Sequence, residues 1–339
     1  MDDSKLGKRN KRDDWSPHKP VAYPPLFVWP PQPVALLKWF AGLPGYLFPW
    51  TLFYILVSVL TYAYLTPAAE TMKTISWDWT LFLLVRNWAY VFIFYGGLHL
   101  MYYVKRIQGN TFKYNGRWPE VGNPTFLFKH QVRDNMFWTL LSGVPIWTAY
   151  EAIMLWMFSN GYIPYMSWAE HPVYNVALLL IIPLWREVHF YTAHRSLHIP
   201  VLYRWFHKLH HNNVNISAWS GLAMHPVEHV LYFSVVLIHL IVPSNPLHAI
   251  FTLAHAGLTP AQGHLGYERL ELAGVQINLN TYPHYLHHKY FECNYADGTV
   301  PMDKWFGSFH DGTPESQARM DARFLAQAQK AKQNDNASA

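Results

Sequence analysis

Cysteine is almost absent from this sequence. Cys293 is the single cysteine among 339 residues. A disulfide within the chain, a zinc site built on cysteines and an iron–sulfur cluster held by this chain alone are therefore excluded. A lone thiol does not indicate the redox compartment.

Charge is also scarce. Charged residues make up 14% of the chain and hydrophobic residues 51%, whereas about 25% of the residues of a soluble globular domain are charged. The 16 Trp, 22 Tyr and 20 Phe residues suit a membrane protein, because amphipathic rings settle at the level of the lipid headgroups. The net charge of +5 is modest, and the basic residues lie beside apolar runs. They indicate membrane topology rather than a nucleic-acid surface.

The start of the chain has no apolar core. Its first segment, MDDSKLGKRNKRDD, is charged throughout, so a cleaved signal peptide is not expected. Prolines in the stretch 20–33 disfavour a helix and favour extended backbone. We predict that residues 1–40 form a basic, Pro-rich cytoplasmic tail and that residues 313–339 form a polar C-terminal tail.

Four segments approach the roughly 20 apolar residues that a membrane-spanning helix needs. They are Tyr46–Leu65, Leu81–Val104, Met136–Phe158 and Pro172–Phe190. Basic residues are concentrated in the N-terminal tail and in the loop 105–135, while the other two loops carry only Lys73. The positive-inside rule places the tail, this loop and the end of the fourth span in the cytoplasm. Residues 41–171 are thus predicted to be an N-terminal transmembrane region.

Histidine is abundant where the fourth span ends. Of the 20 histidines, 17 lie between His171 and His310. Positions i, i+3 and i+4 share one face of a helix, so three short patterns each present imidazoles in one direction. They are His194 with His198, His207 with His210 and His211, and His284 with His287 and His288. These patterns predict a metal site, because burying so many imidazoles without a metal would be costly.

The number of imidazoles indicates how many metals they serve. A structural zinc site closes with four ligands and usually includes thiolates, whereas this chain offers about eight to ten imidazoles, enough for two ions with four or five each. Imidazole suits iron, copper and zinc alike. Iron is the better hypothesis, because lipid chains offer many C–H bonds that only activated oxygen attacks.

These motifs resemble those of the fatty acid hydroxylase and sterol desaturase superfamily. The family pattern HxxxH, HxxHH and a distal HxxHH is similar to HRSLH (194–198), HKLHH (207–211) and HYLHH (284–288). MHPVEH (224–229), GHLGYE (263–268), NYAD (294–297) and DKWFGSF (303–309) resemble further family elements. The sterol C4-methyl oxidase and fatty acid hydroxylase branches are the most similar. The resemblance implies a catalytic domain over residues 172–312.

The resemblance adds site residues to the three patterns. It places His264 among the ligands, and His225 is a further candidate because it precedes Pro226 at the start of a helix. His189 and His229 are expected next to the ligands rather than on a metal. Glu187, Glu228 and Asp297 are candidates to accept the outer N–H of a ligating imidazole, or else are solvated carboxylates. The predicted metal ligands are His194, His198, His207, His210, His211, His225, His264, His284, His287 and His288.

The site also constrains the fold. His225 and His264 must reach one cytoplasmic cluster, yet two apolar segments, 230–242 and 247–258, lie between them and are too short to span a bilayer. The turn sequence PSNP joins them. We therefore predict an all-α membrane bundle of about four spanning helices, a re-entrant helical hairpin and a cytoplasmic histidine-rich metal-binding cap.

The predicted function is that of a non-haem di-iron oxidoreductase in the membrane. It would use two iron ions (Fe2+/Fe3+) and O2 to hydroxylate or desaturate an unactivated C–H of a lipid such as a sterol or a fatty acyl chain. No flavin, haem or nicotinamide motif is present, so a separate electron donor of the ferredoxin or cytochrome b5 type, with its reductase, is expected. The alternative is a histidine-rich membrane metal transporter or metal-binding protein. The lipid, the carbon attacked and the oligomeric state are left open.

Overall fold

The computed structural model describes residues 2–272 and 274–337, and most of these residues are helical. The α-helices are α1 (Pro33–Ala41), α2 (Leu52–Tyr64), α3 (Ala69–Met72), α4 (Trp77–His99), α5 (Gln131–Trp138), α6 (Val144–Ser159), α7 (Pro172–Leu197), α8 (Pro200–Leu202), α9 (Lys208–His211), α10 (Pro226–Phe233), α11 (Pro246–Gly263), α12 (Tyr282–Tyr290), α13 (Met302–Trp305) and α14 (Pro314–Ala337). Two antiparallel hairpins, β1 (Gly7–Arg9) with β2 (Trp15–Pro17) and β3 (Arg269–Leu272) with β4 (Val275–Asn278), and short 3₁₀ and π-helical segments accompany them.

Four helical runs are long and apolar enough to cross a membrane. They are Leu47–Tyr64, Trp77–Val104, Gln131–Ser159 and Pro172–Leu197. They correspond to the four predicted spans and confirm the all-α membrane bundle. Short π-helical turns extend α2, α4 and α6 to these lengths, at Leu47–Thr51, Leu100–Val104 and Thr139–Gly143.

The third run begins five residues earlier than the predicted start at Met136 because its polar first turns are paired within the protein. The side-chain amides of Gln131 and Asn135 are both buried, and they donate to the Asn213 side-chain oxygen over 2.9 and 2.8 Å. Asn213 lies just after α9, so this contact also ties the histidine-rich region to the bundle. Hydropathy cannot detect such pairing.

The predicted hairpin is present as a helical pair. Its first arm is α10, continued by a 3₁₀ segment over Ser234–Leu240. Its second arm, α11, starts at Pro246, where Asn245 caps the helix, and continues five residues beyond the predicted end at 258, through Gly263 to a C-cap at His264. Helix α11 packs against α2, α4, α6 and α7, and nearly all of it is buried. It is the central helix of the bundle.

A buried ion pair joins α4 to α6. The Arg86 guanidinium contacts the Glu151 carboxylate at 2.5 Å, with side-chain exposures of 4% and 2%. Asn87 donates to the other Glu151 oxygen over 3.0 Å, and Arg86 donates to the Leu65 carbonyl over 2.8 Å. The network therefore fastens the end of α2 to both helices.

Glu151→Ala should destabilise the bundle strongly. Removing one partner of a buried pair leaves an uncompensated charge and typically costs about 3–5 kcal/mol. Thermal unfolding in detergent measures the loss. Glu70→Ala is the matched control, because the exposed Glu70–Lys73 pair is worth about 0–1 kcal/mol. Equal unfolding temperatures for the two variants would contradict this reading of the network.

The segment before α1 packs on the histidine-rich end of the molecule. The Trp15 ring is buried against Phe112 and Tyr114, and its backbone N–H donates to the Tyr114 carbonyl over 3.0 Å. Further on, the Val21 N–H donates to the Asp311 carbonyl over 2.9 Å. Met320 of α14 joins the same apolar cluster as Trp15. The predicted domain boundaries at 40, 171 and 312 stay a prediction.

Candidate metal centre

Nine of the ten predicted ligands gather in two groups. The five-histidine group consists of His194, His198, His207, His211 and His287. The four-histidine group consists of His210, His264, His284 and His288. In each group one ring nitrogen of every member lies within 4.8 Å of those of the others. The structure therefore provides two places that could each hold one ion.

Each HxxHH pattern serves both groups. His207 and His211 enter the five-histidine group and His210 enters the other; His284 and His288 enter the four-histidine group and His287 enters the five-histidine group. The cause is helical geometry, because residues four apart lie nearly above one another while neighbours differ by about 100°. Tyr203–His207 is a π-helical turn that leads into α9. Two helices thus bridge the groups and fix their relative positions.

The nitrogen spacings within the groups fit metal coordination. In the five-histidine group the His211 Nε2 lies 3.0 Å from that of His207, 3.1 Å from that of His287 and 3.2 Å from that of His198. Two nitrogens bound at right angles, each about 2.1 Å from one ion, are about 3 Å apart. Neutral imidazoles that turn several lone pairs on one another repel, and a cation between them removes that repulsion.

The four-histidine group has the same spacing around His264. Its Nε2 lies 2.9 Å from that of His284, 3.1 Å from that of His288 and 3.3 Å from that of His210. His264 is placed there because it caps the C-terminal end of α11. The central helix of the bundle thereby ends at this group.

Outer hydrogen bonds orient many of these rings. Five imidazoles have an acceptor within reach of Nδ1, so that Nδ1–H donates and Nε2 keeps its lone pair for a metal. The pairs are His207 with Glu228 Oε1 (2.8 Å), His194 with the Tyr295 carbonyl (2.8 Å), His287 with the Cys293 carbonyl (2.7 Å), His264 with the Pro260 carbonyl (3.1 Å) and His210 with the Ala223 carbonyl (3.3 Å).

Burial keeps the imidazoles neutral. It lowers the pKa of His207, His211, His264 and His288 well below the usual 6.5, because the interior disfavours the charged form. Neighbouring imidazoles lower these pKa values further. Neutral imidazole is the form that binds a metal.

His225 lies outside both groups. Its Nδ1 accepts the Val227 N–H over 3.2 Å and so caps α10, and its ring contacts Phe206. The position before Pro226 favours this cap rather than a metal contact. His229 is also separate, since its ring nitrogens lie 3.0 Å from the Ser142 hydroxyl and 3.1 Å from the Leu222 carbonyl.

Four other residues were predicted to lie next to the ligands. One of them contacts a grouped histidine, and the other three contact other parts of the protein. Glu228 contacts His207 as described. Glu187 instead accepts the backbone N–H groups of Gly298 and Thr299 over 2.6 and 2.7 Å. Asp297 pairs with Arg186 of α7, and His189 lies 3.0 Å from the Ser234 hydroxyl. Glu187 and Asp297 therefore hold the segment after the last histidine pattern against α7.

The sequence did not predict the backbone carbonyls that accept from the imidazoles or the aromatic rings that pack against them. The Tyr295 ring packs against His194, His198 and His287, and Phe291 packs against His211. The NYAD motif pointed to Tyr295 without giving it a role. Carbonyl acceptors leave no signal in residue type, because every residue has one.

One cavity adjoins both groups. It has a volume of about 670 Å³ and is lined by members of each group, including His194 and His264. Aromatic side chains form much of its wall: Trp39, Tyr46, Trp50, Tyr54, Phe190 and Tyr232. This volume lies within the range of ligand pockets, about 300–1,000 Å³, and apolar walls with a few polar groups are usual in such pockets.

The four apolar runs and the paired histidine groups define a membrane protein with a candidate two-metal site. Residues 179–308 match the profile of the fatty acid hydroxylase family. Together with the relatives described next, this match confirms the resemblance seen in the motifs: residues 179–308 are similar to the fatty acid hydroxylase and sterol desaturase superfamily.

Three relatives illustrate the similarity. The Delta(7)-sterol-C5(6)-desaturase of Nicotiana tabacum is 27% identical over 53% of this chain and 68% of its own length. The Delta(7)-sterol 5(6)-desaturase of Candida glabrata is 29% identical over 40% of this chain and 37% of its own length. The Delta(7)-sterol 5(6)-desaturase of Saccharomyces cerevisiae is 30% identical over 35% of this chain and 32% of its own length. No solved structure matches significantly. The chain thus spans from about a third to two thirds of these relatives, and their names are those of C5(6)-desaturases rather than C4-methyl oxidases.

Proposed function

We propose that this protein is a membrane-bound, O2-dependent di-iron oxidoreductase that hydroxylates or desaturates an unactivated C–H of a lipid. The observation that carries the proposal is the pair of buried histidine groups on the wall of one aromatic-lined cavity. The similarity of residues 179–308 to the fatty acid hydroxylase family and to sterol desaturases supports it. The names of the relatives favour a sterol, with a fatty acyl chain as the other lipid class.

The donor set suits two iron ions. Both groups consist of imidazoles alone, which bind iron, copper or zinc. The proposed ligands are the nine grouped histidines, and His225 is left to its role as a helix cap. When bound, reduced iron supplies the activation of O2 that cleavage of such a C–H bond requires.

The residues of the chain orient the imidazoles and shape the cavity beside them. Glu228 and the carbonyls of Tyr295 and Cys293 hold three imidazoles of the five-histidine group in one tautomer. Phe190 and Tyr232 add apolar surface to the cavity wall next to the groups, and a lipid that fills the cavity would displace water from it. A dry site protects reactive intermediates from side reactions.

The electron donor is proposed to be a separate protein of the ferredoxin or cytochrome b5 type. Arg195, Lys208 and Lys289 flank the histidine patterns and are exposed. Such cations suit an acidic donor or anionic headgroups. The positive-inside rule supports the cytoplasm as the side on which they lie.

A metal transporter is less well supported. Transporters place their ligands along a path near the bilayer midplane. Here His194 and His198 lie at the end of the fourth span, and the similarity to the fatty acid hydroxylase family favours an oxidoreductase.

Product analysis tests the proposal. Lipids from cells that express the protein, supplied with iron and O2, should contain a new species with one added oxygen or two fewer hydrogens. The double variant described in the Discussion is the matched control. An iron-loaded, reducible protein that leaves the lipid profile unchanged in several hosts would contradict the proposal.

Glu228→Ala should weaken iron binding by about 10–100-fold, the usual loss when an outer partner of a ligand is removed. The carboxylate holds the Nδ1 of His207, and without it the ring loses its fixed tautomer. Competition with a ferrous chelator measures the affinity. Glu228→Gln keeps an acceptor oxygen and should lose less. Wild-type affinity in both variants would show that Glu228 does not orient His207.

A further inference from the structure

Six residues of the cavity wall carry a buried polar atom that has no hydrogen-bond partner among the described residues. His194, His284 and Glu228 belong to the histidine groups or contact them, and Arg186 leaves only its Nε unpaired. Trp50 and His255 are the other two. His255 of α11 is only 7% exposed and lines the cavity, and its Nδ1 is buried without a partner among the described residues. The indole nitrogen of Trp50, also in the wall, is buried and unpartnered in the same way. The Tyr54 ring packs against both side chains, with ring-centroid distances of 5.3 Å to His255 and 6.4 Å to Trp50.

His255 differs from His239 and His248 of the same hairpin, because each of those rings has a hydrogen-bond partner for at least one nitrogen. The Nε2 of His239 lies 2.9 Å from the Thr252 hydroxyl, although its Nδ1 is also unpaired, and the Nε2 of His248 lies 2.9 Å from the Asn175 carbonyl. Most buried polar groups are paired, because leaving one unpaired is unfavourable. A ligand in the cavity would supply the missing partner.

His255 is aligned with the metal groups by the helix that carries it. His255, Thr259 and Gln262 all line the cavity and lie at positions i, i+4 and i+7, on one face of α11. His264 of the four-histidine group follows at the end of the same helix. Nine residues separate His255 from His264, which at 1.5 Å per residue is about 13 Å along the axis.

The chemistry of the unpaired atoms indicates which functional group of a bound molecule they would contact. A neutral imidazole offers one donor and one acceptor, and an indole N–H offers only a donor. A hydroxyl both donates and accepts, so it can satisfy both residues. A carboxylate or phosphate would pair with a cation, whereas Trp50 and a neutral His255 carry no charge. Arg186, which also lines the cavity, has its two terminal nitrogens on Asp297 and Tyr232 and only its Nε unpaired.

We propose that His255, together with Trp50, binds the free hydroxyl group of a lipid, and that this contact sets which carbon of the lipid reaches the histidine groups. Describing the lipid as a substrate rests on the proposed function; the binding itself does not. The lipid would carry its hydroxyl at one end and its reacting carbon on the order of 10 Å away, as the helical rise between His255 and His264 requires.

Binding of matched lipid pairs tests this inference. The full chain in detergent is titrated with tritiated cholesterol and tritiated 1-hexadecanol, each displaced by the unlabelled alcohol or by its deoxy counterpart, cholest-5-ene or hexadecane. At least one alcohol should bind about tenfold more tightly than its counterpart, since one or two hydrogen bonds of about 1 kcal/mol each are gained.

Variants connect that preference to His255. His255→Phe keeps a ring but removes both nitrogens, so the preference should fall to about twofold or less while the affinity for the hydrocarbon is kept. His255→Asn retains a donor and an acceptor and should preserve part of the preference. His171→Phe, at an exposed histidine, is the control and should bind like the wild type.

Two results would overturn the inference. One is a wild-type protein that prefers neither alcohol. The other is a pair of His255 variants that keep the full preference, or that weaken alcohol and hydrocarbon binding equally. No reductant is added, so the test does not depend on catalysis. A chain that oxidises no lipid yet shows the His255-dependent preference would contradict the proposed function and leave this inference standing.

Discussion

The double variant His207→Ala, His287→Ala is expected to lose lipid oxidation to the background level and to retain only one of two irons. Both residues belong to the five-histidine group, so the variant leaves that group three imidazoles. The four-histidine group is unchanged and should keep its ion. Product formation and iron content, measured on the same purified sample, test both parts of the expectation.

His225→Ala is the matched control for this variant. It makes the same substitution at a histidine that caps α10 and lies outside both groups. The loss of the cap should cost about 1 kcal/mol of stability while iron content and activity are kept. If His225→Ala loses iron as the double variant does, the assignment of nine grouped ligands is wrong.

Thr259→Trp should lower kcat/KM by about two orders of magnitude while iron content stays unchanged. Thr259 lines the cavity between His255 and the four-histidine group, so an indole there would displace the lipid from its productive position. Misplacement by about 1 Å can already cost 10²-fold. Steady-state kinetics with the product identified above, together with iron analysis, measure the effect.

Thr259→Val controls for the loss of the hydroxyl, which donates to the His255 carbonyl over 2.7 Å. It keeps the volume of the side chain and should retain most of the activity. Equal activity of the Trp variant and the wild type would show that the lipid does not use this cavity. Loss of iron in the Trp variant would show that the substitution disturbs the metal groups instead.

Much of the fold could be predicted because it depends on hydropathy. The four spans follow from runs of apolar residues, and the turn sequence PSNP (243–246) separated the two arms of the hairpin. The early start of the third span could not be predicted, since Gln131 and Asn135 are polar and are accommodated only because Asn213 pairs with them. Burial of a polar residue depends on its partners, which are distant in sequence.

The histidines that the structure brings together could be predicted from the sequence, but their division into two groups could not. Helical spacing brought out the three histidine patterns, and the family resemblance added His264. Spacing alone suggested that each pattern forms one patch, whereas His210 and His287 cross to the other group from their neighbours. Helical geometry separates neighbouring histidines within a pattern, but which histidines of α9 and α12 share a group also depends on how the two helices face each other, and tertiary packing sets this. The packing of Trp15 on the histidine-rich end was likewise not evident from a basic, Pro-rich stretch.

Metal analysis with Mössbauer spectroscopy tests the central claim most directly. The protein is produced with 57Fe and purified in detergent under anaerobic, reducing conditions. The account predicts two irons per chain, one for each histidine group, with nitrogen-rich ferrous signals that O2 oxidises, and the loss of one of them in the His207→Ala, His287→Ala variant. Zinc as the sole metal, or an iron content that these substitutions do not change, would contradict it.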